Sequence, residues 1–198
     1  MKKSKTIGVL MALSMVVSTT TGIPNNSLCK QLNNPVTVSA AKNVALGWHS
    51  DSIGYWYVIK RDGTYVKDAW RTIDGKRYLF GKDGYMLTGW QERNDHWYYL
   101  HYSTGEMWTG WLQDGPDWYY LETLKSGSPF SYGGMLENCL FHEKGKVYYF
   151  GKDGKMARNG WVGKTHYAYS DGHLAVGRVI INGKRCEFDR DGYFIRYW

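Results

Sequence analysis

The tripeptide TGW at Thr88–Trp90 and the tetrapeptide WYYL at Trp97–Leu100 return 21 residues later as TGW at Thr109–Trp111 and WYYL at Trp118–Leu121. Both parts of this stretch move by the same distance, so the unit keeps its internal spacing. A fixed period of about 20 residues is typical of arrays of small supersecondary units that bury their apolar faces on one another. The stretch therefore predicts a repeat protein rather than a domain with one central core.

Short turn signals separate equally short runs of strand-forming residues. Asp-Gly and Asn-Gly pairs recur along the chain and tolerate the positive φ angles of tight hairpin turns. The runs Lys76–Phe80 and Lys146–Phe150, which lie beside such turns, are rich in Tyr, Phe and Val and indicate strands. Extended helical periodicity is absent after residue 40. These patterns predict an all-β fold, a solenoid of tandem β-hairpin repeats.

About seven repeats fit between residues 41 and 198, which leaves no segment for a second domain. They begin near Trp48, Trp70, Trp90, Trp111, Glu137, Trp161 and Arg178. Residues 122–134 lengthen the fourth repeat and are predicted to form a surface loop. The last three repeats are degenerate, because Val147, His166 and Arg185 stand where Trp97 stands in the third repeat.

Residues 1–40 differ in composition from the rest of the chain. Three lysines within Lys2–Lys5 precede the apolar run Ile7–Val17, and the segment contains no acidic or aromatic residue. The run is shorter than the roughly 20 residues that a spanning helix needs. We therefore predict a secretory signal peptide over residues 1–40, cleaved after Ala40, with no membrane span afterwards. Residues 20–22 offer an alternative cleavage site nearer the apolar run.

The charge of the chain gives no support for nucleic-acid binding. Removal of residues 1–40 takes away four lysines and no acids, which lowers the formal charge from +7 to +3. Binding to nucleic acid needs Lys and Arg clustered on one face.

All 33 aromatic residues lie in the remaining 158 residues. Such a composition suits flat aromatic binding surfaces better than a thick aliphatic core.

The sequence gives no catalytic or metal-binding pattern. The six histidines are scattered among predicted strands, and no Cys/His spacing fits zinc. The array is therefore predicted to be non-catalytic, with no cofactor and no metal. Cys139 and Cys186 could pair in an extracellular protein, or Cys186 could simply replace a strand aromatic. The sequence leaves both alternatives open.

The recurring pattern of Gly-Trp, Trp-Tyr-Tyr and Asp-Gly motifs resembles the choline-binding, or cell-wall-binding, repeats of pneumococcal-type autolysins. Gly47–Val58 looks like the opening repeat of such a module, and Gly89–Trp111 is close to the family consensus. Glucan-binding repeats of streptococcal glucosyltransferases and carbohydrate-binding repeats of clostridial toxins share part of the pattern, and Trp70–Phe80 leans toward them. The resemblance implies a solenoid of hairpins with ligand sites between consecutive repeats.

Choline is a quaternary ammonium, which donates no hydrogen bond and is held best by the faces of aromatic rings. In the family pattern, two tryptophans of one repeat and an aromatic residue of the next form the walls of a box. In the second repeat, Arg77 stands where the second of these two tryptophans, the inner tryptophan, would stand. This substitution argues against a box at Trp70. Carried over to this sequence, the resemblance implies three boxes: Trp90 and Trp97 closed by Tyr120 with Met107 as floor, Trp111 and Trp118 closed by Tyr149, and Trp48 and Trp56 closed by Tyr78.

The resemblance implies a secreted, cell-wall-associated protein that binds choline-substituted teichoic acid or a related wall polymer. The well-formed repeats run from Trp48 to Tyr120, so we expect a fragment that ends near Gly134 to keep most of the ligand affinity and residues 137–198 alone to retain little. Two alternatives remain open: a module that binds α-glucan or another oligosaccharide on the same tryptophans, and a structural repeat for protein contacts in which the rings only stack. The array could also form a homodimer through its last repeats.

Overall fold

The computed structural model describes residues 43–198, and the predicted signal peptide lies outside them. The described residues form 15 strands and no helix, which confirms the all-β prediction. The strands are β1 (Gly47–Ser50), β2 (Tyr55–Val58), β3 (Ala69–Ile73), β4 (Lys76–Phe80), β5 (Gly89–Arg93), β6 (His96–Leu100), β7 (Gly110–Asp114), β8 (Asp117–Leu121), β9 (Cys139–Glu143), β10 (Lys146–Phe150), β11 (Gly160–Val162), β12 (His166–Ala168), β13 (Gly177–Ile181), β14 (Lys184–Phe188) and β15 (Phe194–Tyr197).

Consecutive strands pair into seven antiparallel hairpins within the described part of the chain, one for each predicted repeat. The last hairpin, β13–β14, carries β15 as a third strand. Two-residue turns such as Asn182-Gly183 connect the strands, with φ angles of 49° and 74°. Asn and Gly tolerate this left-handed conformation, which matches the twist of a two-residue hairpin. Asp74-Gly75 and Asn182-Gly183 mark hairpin tips, whereas other Asp-Gly pairs, such as Asp83-Gly84, lie in the turns that follow the second strands of the hairpins.

Each hairpin is followed by a short extended segment that joins it to the hairpin before. Met107, for example, forms a bridge with Leu100 of its own repeat, while its N–H donates to the carbonyl of Arg77 in the preceding repeat, at 2.8 Å. The same backbone bond recurs along the array: Met86 to Tyr55, Met135 to Trp97, Met156 to Trp118 and Leu174 to Val147. These bonds connect hairpins that share no strand ladder.

The core is a series of small clusters rather than one centre. Phe80, Leu100, Leu121 and Phe150 end the second strands of successive hairpins and are fully buried. Each cluster combines residues of neighbouring repeats. A repeat of about 20 residues cannot bury its apolar face alone, so the stacking of neighbours supplies the core.

The insertion in the fourth repeat packs against the array. The buried carboxylate of Glu122 accepts hydrogen bonds from the N–H of Leu124, at 2.8 Å, and from the hydroxyl of Ser128. Phe130 is half-buried against the cluster that contains Leu136. Glu122 thus ties the insertion into a compact loop.

Cys139 and Cys186 are both free thiols in the structure. They lie on different hairpins, in β9 and β14. Cys186 is buried among Ala175, Ile181 and Phe188, so it serves as a small core residue.

Candidate functional site: aromatic cages between repeats

The strand register places both tryptophans of a well-formed repeat on one face. Trp90 pairs with Tyr99, and Glu92 pairs with Trp97, two positions away. Side chains of a strand alternate between faces, so Trp90 and Trp97 share a face. The β7–β8 hairpin repeats this arrangement, and the rings of Trp111 and Trp118 lie 6.3 Å apart at 77°. The structure therefore brings together both predicted tryptophan pairs.

A cage of three aromatic residues and one methionine forms at the fourth repeat. Trp111 and Trp118 line a cavity of about 350 Å³ together with Tyr148 and Met156 of the fifth repeat. The ring of Tyr148 meets that of Trp111 edge-on, at 4.9 Å between centroids. We call these four residues the fourth-repeat cage. Tyr148 and Met156 both lie after Glu137, so this cage, like the predicted box closed by Tyr149, draws residues from the fifth repeat.

The first repeat forms a cage with the same plan. Trp48 and Tyr55 line a cavity of about 270 Å³ with Tyr78 and Met86 of the second repeat. The rings of Trp48 and Tyr78 lie 5.0 Å apart at 74°, and the Trp48 side chain is exposed. We call these residues the first-repeat cage. The predicted pairing of Trp48 with Tyr78 is present.

The third repeat holds the corresponding residues in the same places. Trp90 meets Tyr119 of the fourth repeat at 4.9 Å, edge-on. Met135 belongs to the same cluster, against which Trp90 and Trp97 pack. We call Trp90, Trp97, Tyr119 and Met135 the third-repeat cage.

The closing tyrosine differs from the prediction by one residue. Tyr120 packs against Trp111 of its own hairpin and against Phe141, at 4.2 Å, rather than closing the cage at Trp90. Tyr149 stacks on His166 and lies away from Trp111. The reason is strand alternation: the middle residue of each triplet faces the preceding repeat, and its neighbour faces the other way.

The prediction that Trp56 forms a wall of the box at Trp48 is also wrong. It pairs across the hairpin with His49, whereas Trp48 pairs with Tyr57, so the two tryptophans lie on opposite faces. Trp56 stacks on His49 at 5.6 Å and meets Tyr85 edge-on on the reverse side. By strand register, Tyr55 holds the position that Trp97 holds in the third repeat.

Met107 is the floor of a different site from the predicted one. Its N–H bonds the carbonyl of Arg77, so it lies under the second repeat. Met135 holds the corresponding place under Trp97. The insertion moves Met135 further along the sequence, which hides the correspondence from a count of residues.

Carboxylates of the following repeat fix the orientation of two tryptophans. The indole Nε1–H of Trp90 donates to Asp114 and that of Trp111 donates to Glu143, both at 2.8 Å. A hydrogen bond to an ionised acceptor is stronger than a neutral one. The ring planes of the two tryptophans are therefore set before any ligand arrives.

The second repeat carries its own cation in place of an aromatic wall. The Arg77 guanidinium lies over the Trp70 ring, at 4.4 Å from the centroid, and Tyr98 meets the same ring at 5.0 Å. An arginine in this position makes the cation–π contact that a ligand cation would otherwise make. The structure thus agrees with the argument against a box at Trp70.

The fifth repeat replaces the cage with aliphatic side chains. Leu140 stands where Trp90 stands in the third repeat, and it packs with Val147 and Leu174. In the sixth repeat Trp161 pairs with Tyr167, so Thr165, rather than His166, stands at the inner tryptophan position. The fifth repeat therefore has no set of rings like that of the fourth-repeat cage, whereas Trp161 of the sixth repeat contacts the rings of Tyr167, Phe188 and Phe194.

Two family models match the array. A choline-binding repeat model matches residues 66–111, and a putative cell wall binding repeat model matches residues 109–123 and 140–156. The matches cover the second to fifth repeats in part.

Solved structures of Streptococcus pneumoniae proteins resemble the array. CbpJ gives a TM-score of 0.64 with 30% identity, over 76% of this chain and 52% of that chain. Choline binding protein F gives a TM-score of 0.63 with 33% identity, over 77% of this chain and 48% of that chain. Choline binding protein F has also been crystallised in the presence of a peptidoglycan analogue, a tetrasaccharide-pentapeptide.

A much longer protein also carries a similar region. Glucosyltransferase-I of Streptococcus downei is 29% identical over 154 residues, which make up 75% of this chain and 8% of that protein. The chain therefore spans about half of the two pneumococcal structures and under a tenth of the glucosyltransferase.

Residues 43–198 contain no helix with the length and apolar character that a bilayer crossing requires. In the same residues, no group of three or more His, Cys, Asp and Glu side chains is placed to hold a metal ion.

Proposed function

The chain carries choline-binding and cell-wall-binding repeats, and from this premise we propose that it binds a wall polymer by holding choline groups in its aromatic cages. The observation that carries the proposal is the recurrence of one four-membered set, two aromatic walls, a closing tyrosine and a methionine, in the first and fourth repeats. The third-repeat cage has the same composition. The ligand that fits such a set is a quaternary ammonium, with choline-substituted teichoic acid as its source.

The affinity of one cage is modest. Each ring face contributes roughly 0.5 to 2 kcal/mol to the binding of a cation, so three faces give about 2 to 6 kcal/mol. About 4 kcal/mol corresponds to a dissociation constant near 1 mM. Several cages on one polymer raise the overall affinity by about 10² to 10⁴. A repetitive polymer is therefore a better ligand than a single choline molecule.

Thermal unfolding with competing ligands tests the proposal. Choline at millimolar concentration should raise the melting temperature, because a ligand that binds only the folded state stabilises it by mass action. Glucose oligomers at the same concentration should change it little. Sodium chloride at equal ionic strength serves as the control. A rise with glucose oligomers and none with choline would overturn the proposal.

The similarity to a glucosyltransferase favours a second candidate, the binding of α-glucan or another oligosaccharide. Sugar rings stack on exposed tryptophan faces, and Trp48 offers such a face. Elution from a tertiary-amine resin distinguishes the two functions. Choline should release the protein if the cages bind cations, whereas an oligosaccharide should release it if they bind sugars.

We further propose that the protein is secreted, associated with the cell wall and non-catalytic. The support is the composition of residues 1–40 and the repeat architecture of residues 43–198. N-terminal sequencing of the secreted protein should begin at Ala41. A start near Ile23 would contradict cleavage after Ala40.

The last hairpin supports a proposal of homodimerisation. Ile195 and Tyr197 are large apolar side chains that lie exposed on its third strand, β15, two residues apart. Residues two apart on a strand share a face, and exposed apolar patches mark contact surfaces when they are contiguous. Light scattering should give a dimer for the parent protein and a monomer for Ile195→Asp. A monomeric parent protein would overturn this proposal.

A further inference from the structure

A basic cavity of about 240 Å³ lies at the second repeat, on the side of Arg77. Its lining includes Thr72, Lys76, Arg77, Glu106, Lys125 and Tyr132. Three of these side chains are cationic and one is anionic, so the lining carries an excess of two positive charges. Three of the seven residues that line each of the first-repeat and fourth-repeat cavities, by contrast, are aromatic.

Arg77 is held in place without a carboxylate. Its guanidinium lies over the Trp70 ring and its carbonyl accepts the N–H of Met107. Within residues 43–198, the guanidinium makes no hydrogen bond or ion pair. A guanidinium whose face rests on a ring keeps the N–H groups at its edge available, and these match the oxygens of phosphate in pairs.

Lys76 and Lys125 bring further positive charge. Lys76 is paired with Glu106 at 2.7 Å, so its charge is balanced locally. Lys125 lies 5.6 Å from the centroid of the Tyr132 ring and has no carboxylate partner within the described array. Arg77 and Lys125 therefore carry the uncompensated charge of the cavity.

The insertion in the fourth repeat supplies one wall of this cavity. Lys125 and Tyr132 both belong to it. Gly133 seats the loop directly on Met107: a Cβ atom at Gly133 would lie 2.5 Å from the sulfur of Met107, and its φ of +82° is unfavourable for other residues. The insertion is thus fixed against the second repeat, where the sequence alone suggested a surface loop.

We propose that this cavity binds a phosphate group, as a monoester or a diester. Two unpaired cations suit a doubly charged phosphate, and Thr72 and Tyr132 bring hydroxyl groups to the same lining. Glu106 lines both this cavity and the first-repeat cage, so the two sites adjoin. The proposal does not depend on choline, because its charges come from the second repeat and the insertion alone.

Titration of the ¹⁵N-labelled full chain with inorganic phosphate tests the site directly. The indole N–H of Trp70 and the amide signals of Arg77 and Tyr132 should shift in a saturable way, and sodium chloride at equal ionic strength should not reproduce the shifts. Arg77→Gln should raise the dissociation constant for phosphate about tenfold, because a charge-assisted hydrogen bond is lost. Lys125→Gln should raise it severalfold.

Lys152→Gln is the charge-matched control. Lys152 is exposed in the turn after β10, so its loss removes the same charge away from the cavity. This variant should bind phosphate like the parent protein. If phosphate binding weakens equally in all three variants, net charge explains the effect and the proposal is overturned. Signal shifts that sodium chloride reproduces would also overturn it. If Arg77→Gln perturbs the whole spectrum, Lys125→Gln alone decides: unchanged phosphate binding in that variant refutes the site. Methyl phosphate and dimethyl phosphate as further probes distinguish a monoester from a diester.

Discussion

The Arg77 guanidinium lies 4.4 Å from the centroid of the Trp70 ring, in the second repeat of an array whose neighbouring repeats present aromatic walls instead. Trp70, Tyr98 and Met107 remain in the places that cage residues occupy elsewhere. The second repeat is therefore a cage in which one wall has been exchanged for an internal cation.

Arg77→Trp should add a choline site to the protein. The substitution removes the internal cation and restores the missing wall beside Trp70. Equilibrium dialysis with labelled choline should give about one more molecule bound per chain, with an affinity near the millimolar value expected for three ring faces.

Val147→Trp is the matched control for this gain. Val147 occupies the same position in the fifth repeat, but Leu140 stands there in place of the Gly-Trp tryptophan. One added ring does not make a cage, so the number of bound choline molecules should stay that of the parent. An equal gain in both variants would show that a single tryptophan binds choline without the other walls.

Trp118→Ala should weaken choline binding at the fourth-repeat cage. Loss of one wall removes about 1 to 2 kcal/mol from a binding free energy near 4 kcal/mol, which corresponds to roughly 5- to 30-fold weaker binding. Isothermal titration calorimetry with choline measures this change, by comparing the dissociation constant and the number of sites of the variant with those of the parent protein.

Trp56→Ala tests whether choline binding depends on which face of the hairpin carries the tryptophan. It removes an indole of the same size, but from the side opposite Trp48. Choline binding should stay that of the parent, even if the melting temperature falls. Similar losses of choline binding in Trp56→Ala and Trp118→Ala would contradict the assignment of the cages.

His166 should make the array less stable in mild acid. Burial lowers the pKa of His166 below its ordinary value of 6.5, with a smaller opposing effect from Asp189. The unfolded chain therefore takes up a proton at a higher pH than the native protein does, and the free energy of unfolding falls as the pH drops below about 6.5. Above that pH both states are neutral and the effect vanishes.

His166→Phe keeps a ring between Tyr149 and Tyr193 and removes the titration. Its melting temperature should fall less between pH 7.5 and pH 5 than that of the parent, by roughly 2 to 4 °C for each 1 kcal/mol removed. An identical fall in both proteins would show that other groups cause the acid sensitivity.

Both cysteines of the described array should react slowly as thiols. Burial raises the pKa of Cys139 to about 11, so about one molecule in a thousand carries a thiolate at pH 8. Cys186 is almost fully buried. Alkylation should be slow in the native protein and should label both residues after unfolding. Failure to label them in denaturant without reductant would indicate a disulfide.

The spacing of turns and aromatics was enough to predict the hairpins. Short runs between Asp-Gly or Asn-Gly pairs have few alternatives to a tight antiparallel pair. The tryptophan pairs of the third and fourth repeats were also predictable, because residues on one strand face alternate regularly.

The closing residues could not be predicted by the same counting. Tyr120 shares a strand face with Trp118, so alternation leaves Tyr119 to face the preceding repeat, and a count of repeat positions does not separate the two tyrosines. Trp56 was misplaced because it was aligned by residue type, whereas the register of Gly47 with Val58 aligns Tyr55 with Trp97. The basic cavity at the second repeat had no local signal, since its lining residues come from three successive repeats.

The backbone bond from each methionine to the preceding hairpin gives the array a mechanical property. A cage draws its walls from two hairpins, and the same two hairpins are joined by one methionine N–H. A ligand in the cage contacts both hairpins and therefore adds to the backbone bond and the apolar cluster that already hold the junction together. A polymer that fills several cages would oppose the peeling of hairpins from the ends of the array, so the protein would be hardest to unravel when it is attached.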